Sequence, residues 1–240
     1  MEQASNAANK KVAAKRFLLI AVIALVPILL LLLRYRSHLA WKVMEHQLEL
    51  RDAFESPTRL MPLATIPTQW RKTKAAGLNL ALPSDMTQIP LEDIEALLFE
   101  NEELRVFIFP RLPITAGDQA YLQKATEFSP TQREFTWPSL RFEIFQKNVD
   151  DFRWSMTNKE VLWHFYCMNI RCDQPGQKVE GFFTNDLDGL LVTENNTASF
   201  DWQSNLKPYD GLLQFASKQG ELNLDHVRAI CHSIELDDND

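Results

Sequence analysis

Glycine is scarce in this chain, seven in 240 residues, and cysteine is scarcer still, with three. The first shortage leaves little room for backbone loops that cradle phosphates: there is no G-x-G-x-x-G and no P-loop. H-E-x-x-H, G-x-S-x-G and a paired C-x-x-C are also absent, so the commonest metalloprotease, hydrolase and redox signatures are missing. The second shortage argues against a scaffold built on disulfides. An odd count leaves at least one thiol unpaired in the chain or bonded between chains. Cys167 and Cys172 are five positions apart, and on one regular helix or strand their Cβ vectors diverge. Buried thiols without a structural bond are the expectation, with a Cys172–Cys231 bond as the alternative. No internal repeat or low-complexity block is visible.

What the chain does have is a long hydrophobic run. Phe17 to Leu33 reads FLLIAVIALVPILLLLL, without one charged or hydrogen-bonding side chain. A helix rising about 1.5 Å per residue needs roughly 17–25 apolar residues to cross a hydrocarbon core about 30 Å thick. Val12, Ala13 and Ala14 lengthen the run, because Lys15 and Arg16 can snorkel to the headgroups. Residues 12–35 are therefore expected to form one transmembrane signal-anchor helix, with the lipid bilayer as partner through Phe17 to Leu33. A cleaved signal peptide has an apolar core of about 7–15 residues followed by a small-residue cleavage site; this run ends in Arg34-Tyr35-Arg36. Pro27 removes one backbone hydrogen bond in mid-span, which membrane helices tolerate when neighbouring groups take up the freed carbonyl.

Lys10, Lys11, Lys15 and Arg16 before the run outweigh Arg34, Arg36 and Lys42 after it. The positive-inside rule then puts residues 1–11, a short disordered tail, in the cytoplasm and residues 37–240 outside it. Tyr35 and Trp41, next to the exit, suit the interfacial aromatic belt. Up to Lys42 the chain holds seven basic residues and one acidic residue; beyond it stand 18 basic and 31 acidic. Such an acidic body repels polyanions, so nucleic acid is not an expected partner, and its charge keeps it clear of an anionic lipid surface.

Residues 36–56 read as a juxtamembrane stalk helix. Leu39, Val43, His46, Leu50 and Phe54 recur at three- and four-residue steps on one face. That stripe could pair two protomers weakly through Leu39, Val43, Leu50 and Phe54, or it could pack on the chain's own domain. It spans about two heptads where a coiled coil usually sustains three or four, which favours packing on the domain. Residues 57–69, with Pro57, Pro62 and Pro67, form a semi-rigid connector. The extracytoplasmic domain is expected over residues 70–236, with an acidic tail at 237–240.

Within that domain Leu78, Leu80 and Leu82 alternate as a half-buried strand, and residues 94–100 and 104–110 flank Asn101-Glu102-Glu103 as a hairpin. Helices are expected over 117–126 and 137–149, the latter with Pro138 in its first turn. Another is expected after Thr157, where Thr157 and Glu160 form a capping-box pattern. Residues 179–184, 189–194, 198–203 and 211–217 read as an antiparallel meander. Leu224, Val227, Ile230, Cys231 and Ile234 mark one face of a closing helix opened by Asn223 or Asp225. The order predicts an α+β fold, a largely antiparallel sheet packed by about four helices. GLNLALP near the start and AICHSIEL at the end resemble the Mog1/PsbP-like family, in which an apolar strand opens an α/β sandwich and a helix closes it. The resemblance implies a fold and no activity.

The constellation best suited to chemistry is His164, Cys167, Cys172, Cys231 and His232. His164 and Cys167, three apart on a helix, could be two metal ligands. Cys231 and His232 are neighbours on a helix, so only one could join them, and inert core thiols are the expected alternative. Asn185 to Gly189 resembles a calcium loop but lacks the closing glutamate, and a polar hairpin turn accounts for it. Asp150-Asp151 reads as a solvated loop or helix end. Six tryptophans, at 41, 70, 137, 154, 163 and 202, could line a groove or fill a core. Asn195-Asn196-Thr197 matches a glycosylation acceptor. No catalytic, metal or cofactor residue is assigned. The expected function is a membrane-anchored binding or interaction module of the cell envelope. The alternatives are a tethered enzyme and an assembly subunit pairing through the stalk.

Overall fold

The computed structural model describes residues 31–48, 57–91, 95–171 and 176–236. The N-terminal tail, most of the apolar run, Leu50, Phe54, Cys172 and the acidic tail lie outside the described residues. Among the described residues no helix is long and apolar enough to cross a membrane. The elements are α1 (Arg36–Leu48), β1 (Thr58–Leu60), β2 (Arg71–Ala75), β3 (Leu78–Leu82), β4 (Thr87–Ile89), β5 (Leu97–Glu100), β6 (Leu104–Ile108), β7 (Leu112–Pro113), α2 (Ala116–Phe128), α3 (Trp137–Gln146), a 3-10 turn (Val149–Asp151), α4 (Asn158–Ile170), β8 (Lys178–Phe183), β9 (Leu187–Glu194), β10 (Thr197–Ser204), β11 (Tyr209–Ser217), α5 (Leu224–His232) and β12 (Glu235–Leu236).

The fold is α+β, with a mixed rather than purely antiparallel large sheet. Its order is β1-β8-β9-β10-β11-β6-β5-β4, with β7 also on β11. Every pair in it is antiparallel except β1 on β8, which is parallel. A second sheet of three strands, β12-β3-β2, is antiparallel. Thr58 to Leu60 thus joins the sheet edge from within the stretch read as a connector, and Met61 enters the core behind it. Proline spacing alone hides this short strand, since its pairing partner lies well over a hundred residues along the chain.

Period-two alternation assigns the two faces of the large sheet. Leu191, Ala198, Phe200, Trp202, Leu213 and Phe215 meet the second sheet and α5, where Leu78, Leu80, Leu82, Val227 and Ile230 complete the main core. Leu190, Val192 and Val179 point the other way and pack on Phe142 and Phe145 of α3. The helices α2, α3 and α4 share a third cluster around Leu140, Trp163 and Cys167. The caps explain where these helices begin. Thr115, Thr136 and Thr157 each close a capping box, with Asp118, Ser139 and Glu160. Beside α1, which falls within the expected stalk helix, the described residues hold four α-helices and one 3-10 turn.

Helix α1 packs on the domain, though not through Leu39 and Val43 of the expected stripe. Ser37, His38 and Trp41 are buried, while Leu39 and Val43 face outward. Trp41 is 1% exposed, so the interfacial position expected for it is replaced by a core position. Its indole stacks on Phe152 at 5.5 Å and meets His164 edge-on at 4.7 Å, with Val161 and Met168 of α4 completing the cluster. Burying an indole of this size against three apolar neighbours and an imidazole stabilises the seam more than an exposed belt position would.

Candidate binding cleft

A cleft of about 430 Å³ opens between the first turn of α3 and the segment joining β6, β7 and β11. The pairing of β11 explains its position. β11 pairs with β6 up to Ile108 and with β7 only from Leu112; after a last bond from the Phe109 N–H to the Leu212 carbonyl at 3.1 Å, Pro110 and Arg111 leave the ladder between them. Phe109 and Pro110 form one wall, and Trp137 and Pro138 form the facing one. The Trp137 backbone N–H donates to Gln203 Oε1 at 2.8 Å, and Thr136 Oγ1 donates to Asp188 Oδ2 at 2.7 Å. The start of α3 is therefore fixed to β9 and β10 by side chains from the sheet. On its outer side Trp137 stacks on Tyr121 of α2 at 5.0 Å.

The floor is the β10–β11 ladder, where the register partners Asp201 and Leu212 face α3 and the register partners Trp202 and Gly211 face the main core. A Cβ at position 211 would lie 2.5 Å from the Trp202 indole, so glycine is required there for close approach rather than for a special dihedral. The rim is charged. Arg141 pairs with Asp201. Asp210 is half-buried, and its carboxyl is held above the ordinary range, first by burial and then by the charges of Asp118 and Asp201. Apolar walls with a few convergent polar groups are the usual anatomy of a small-ligand site.

The residues singled out in the sequence are not brought together. His164 and Cys167 lie on α4, but Cys231 sits in the main core on the opposite face of the large sheet. Cys167 and Cys231 are free buried thiols. Burial, with a smaller contribution from Glu143, pushes the Cys167 thiol up to about 12, and burial raises Cys231 as well. Both stay protonated and unreactive at neutral pH. His164 is brought down to about 4, chiefly by burial, so it is neutral. His232 Nδ1 lies 2.9 Å from the Arg228 carbonyl oxygen, and its ring meets Phe182. No group of three or more potential ligands for a metal occurs among the described residues.

Asp188 serves Thr136 and Asn205, and Thr184 closes the turn at Asn185 and Asp186, while Leu187 to Gly189 open β9. Asp151 accepts from the Asn148 backbone N–H at 2.8 Å within the 3-10 turn. Both acidic motifs are thus tied into local structure. Of the cleft residues, sequence reasoning marked only Trp137 and Trp202, as members of an undirected set of tryptophans. Arg141, Asp201 and Asp210 converge only through sheet pairing and had no local signal. No protein-family model matches the chain, and no curated protein is similar to it.

Proposed function

We propose that the chain is a single-pass membrane protein, anchored through Phe17 to Leu33 with residues 37–240 outside the cytoplasm, whose α+β domain is a non-catalytic binding module. The observation that carries the binding reading is the cleft between Trp137 and Phe109 with Asp210 at its rim. Its ligand is a small molecule with an apolar body and a positive group. The aromatic walls take the body, and a cation relieves the like-charge crowding of Asp210, Asp201 and Asp118. The Mog1/PsbP-like resemblance adds no activity to this reading.

The test compares two probes of similar shape and opposite charge, 2-phenylethylamine and 3-phenylpropionate, titrated against the full-length protein in detergent and followed by NMR shifts of the tryptophan indoles. The amine is expected to bind and the acid not. Equal binding of both, or binding of neither, overturns the ligand assignment. Extraction of the full-length protein from membranes by alkaline carbonate would overturn the anchor.

A second reading, an assembly subunit, is supported by the outward face of α1. Val43 is 73% exposed and Leu39 is exposed beside it, so the stripe that could pair protomers is left open. Cysteine crosslinking at position 43 in native membranes tests it: absence of a crosslinked dimer removes the reading.

A further inference from the structure

We infer that the loop carrying Arg153 and Trp154 rests in the lipid headgroup layer, so that the domain sits directly on the bilayer instead of standing off it on a free stalk. The inference rests on the reading of Phe17 to Leu33 as a membrane span, and it concerns a surface to which that reading assigns no role.

The argument is one of height. Residues 31–34 are helical, the Tyr35 N–H donates to the Leu31 carbonyl at 2.9 Å, and the Leu39 N–H donates to the Tyr35 carbonyl at 2.9 Å. The helical path therefore runs from the end of the apolar run into α1 without a loop. At about 1.5 Å per residue, Tyr35 lies roughly 3 Å and His38 roughly 7.5 Å along the axis from Leu33. Any tilt of the axis lowers these heights. A headgroup layer is about 5–8 Å thick, taking half the difference between the full bilayer and its hydrocarbon core. Tyr35 and His38 thus fall within it or at its outer edge.

Trp154 is tied to both. Its ring stacks on His38 with centroids 5.6 Å apart and planes 8° apart, and it meets Tyr35 at 6.4 Å. His38 is itself pinned to the same loop, its Nε2 lying 2.9 Å from the Met156 carbonyl oxygen. Hence Trp154 lies beside the membrane exit in the folded domain, yet it is 53% exposed, whereas Trp41, Trp163 and Trp202 are buried. An indole half in contact and half open, flanked by arginine, is the side-chain chemistry of the bilayer interface. Arg34 and Arg36 are exposed on the helix, and Arg153 bonds the carbonyls of Asp150 and Phe152 in the loop. Asp150 and Asp151 oppose them, but Asp151 is engaged with the Asn148 N–H. The balance, with Lys42, is positive on a domain otherwise strongly acidic, which suits anionic headgroups. The acidic bulk still repels lipid, so the two charge regions together would orient the domain with this loop downward.

The experiment uses the full-length chain with Cys172→Ser, in which the remaining thiols, Cys167 and Cys231, are buried. It is reconstituted in vesicles of phosphatidylcholine and phosphatidylglycerol. Nitroxide labels are placed at Trp154→Cys and at Asp150→Cys, the second of which leaves the Trp154 stack intact. A label at Leu25→Cys reports the span, and one at exposed Glu221→Cys gives the aqueous reference. Collisional relaxation by a water-soluble nickel chelate is expected to be severalfold weaker at 150 and 154 than at 221, and weakest at 25. Full nickel access at 150 and 154 with position 25 shielded overturns this inference and leaves the anchor standing. Full access at position 25 overturns the anchor and this inference with it.

Discussion

The carboxylate of Glu180 takes two hydrogen bonds from the Arg228 guanidinium, from Nε and Nη2, both at 2.8 Å. Glu180 is 3% exposed on β8, and Arg228 is buried on α5, so the pair joins the large sheet to the closing helix inside the protein. Arg59 of β1 adds two further bonds to the same carboxylate, at 2.8 and 2.6 Å. Asp225 takes a third bond from Arg228, at 3.0 Å. One buried acid thus holds the edge strand, its parallel neighbour and the terminal helix in register.

Removing that acid is expected to destabilise the fold far more than removing the outer arginine. Breaking a buried pair from one side leaves an uncompensated charge and costs about 3–5 kcal/mol, so Glu180→Ala should lower the urea midpoint strongly. Arg59 is largely solvated, and Arg59→Ala should cost about 0–1 kcal/mol. Equilibrium urea unfolding of the two variants checks the contrast. Equal losses would mean that Arg228 does not depend on Glu180.

Acid should weaken the protein in two separate windows. His164 falls from 6.5 to about 4 in the folded state, chiefly through burial. The unfolded chain therefore binds the extra proton between these values, and stability declines as pH drops from 6.5 toward 4, by up to about 3 kcal/mol. Burial pushes the Glu180 carboxyl upward, but the guanidiniums of Arg228 and Arg59 outweigh it and hold the group below its ordinary 4.5. Its contribution is complete above that value and is lost as pH falls through the lower folded one. Unfolding free energies measured from pH 7 to 3 should lose the upper slope in His164→Leu and the lower slope in Glu180→Gln. An unchanged profile in His164→Leu would show that another group titrates there.

Gly211→Ala is expected to overpack the main core behind the cleft. The new methyl would press on an indole that is buried on every side, and such overpacking costs about 1–3 kcal/mol. Gly117→Ala, in the first turn of α2 with ordinary spacing to Thr115, should instead be neutral or stabilising by up to about 1 kcal/mol. Thermal melts of the two variants separate a packing effect from a general intolerance of alanine.

Much of this architecture could be read from local chemistry, and the failures share one cause. Thr157 with Glu160 and Pro138 in a first turn placed two helices, because caps and proline act within one turn of chain. Alternation at Leu78, Leu80 and Leu82 placed β3 for the same reason. Glu180 carried no such signal: an acid in a strand reads as solvent-facing until Arg228, 48 positions away, is brought beside it. The cleft has the same origin, since Asp201 on β10 meets Arg141 on α3, 60 positions away, only through the fold. The stripe on α1 misled because its residues were sorted by hydrophobicity, whereas the buried face is set by the larger Trp41 with His38 and Ser37.

Trp41 therefore decides whether α1 is a stalk or part of the domain. If the helix belongs to the folded unit, Trp41→Ala removes an indole packed on Phe152 and His164 and should cost about 3–5 kcal/mol, as large-to-small core changes do. Val43→Ser, on the outward face of the same helix, should stay within about 0.5 kcal/mol in a monomer. Hydrogen exchange of the α1 amides adds the discriminating readout. In the wild-type protein they should exchange with the protection of α4, and in Trp41→Ala they should open while α4 remains closed. Fast exchange of α1 in the wild type would show that the seam is too weak to hold the helix against the domain.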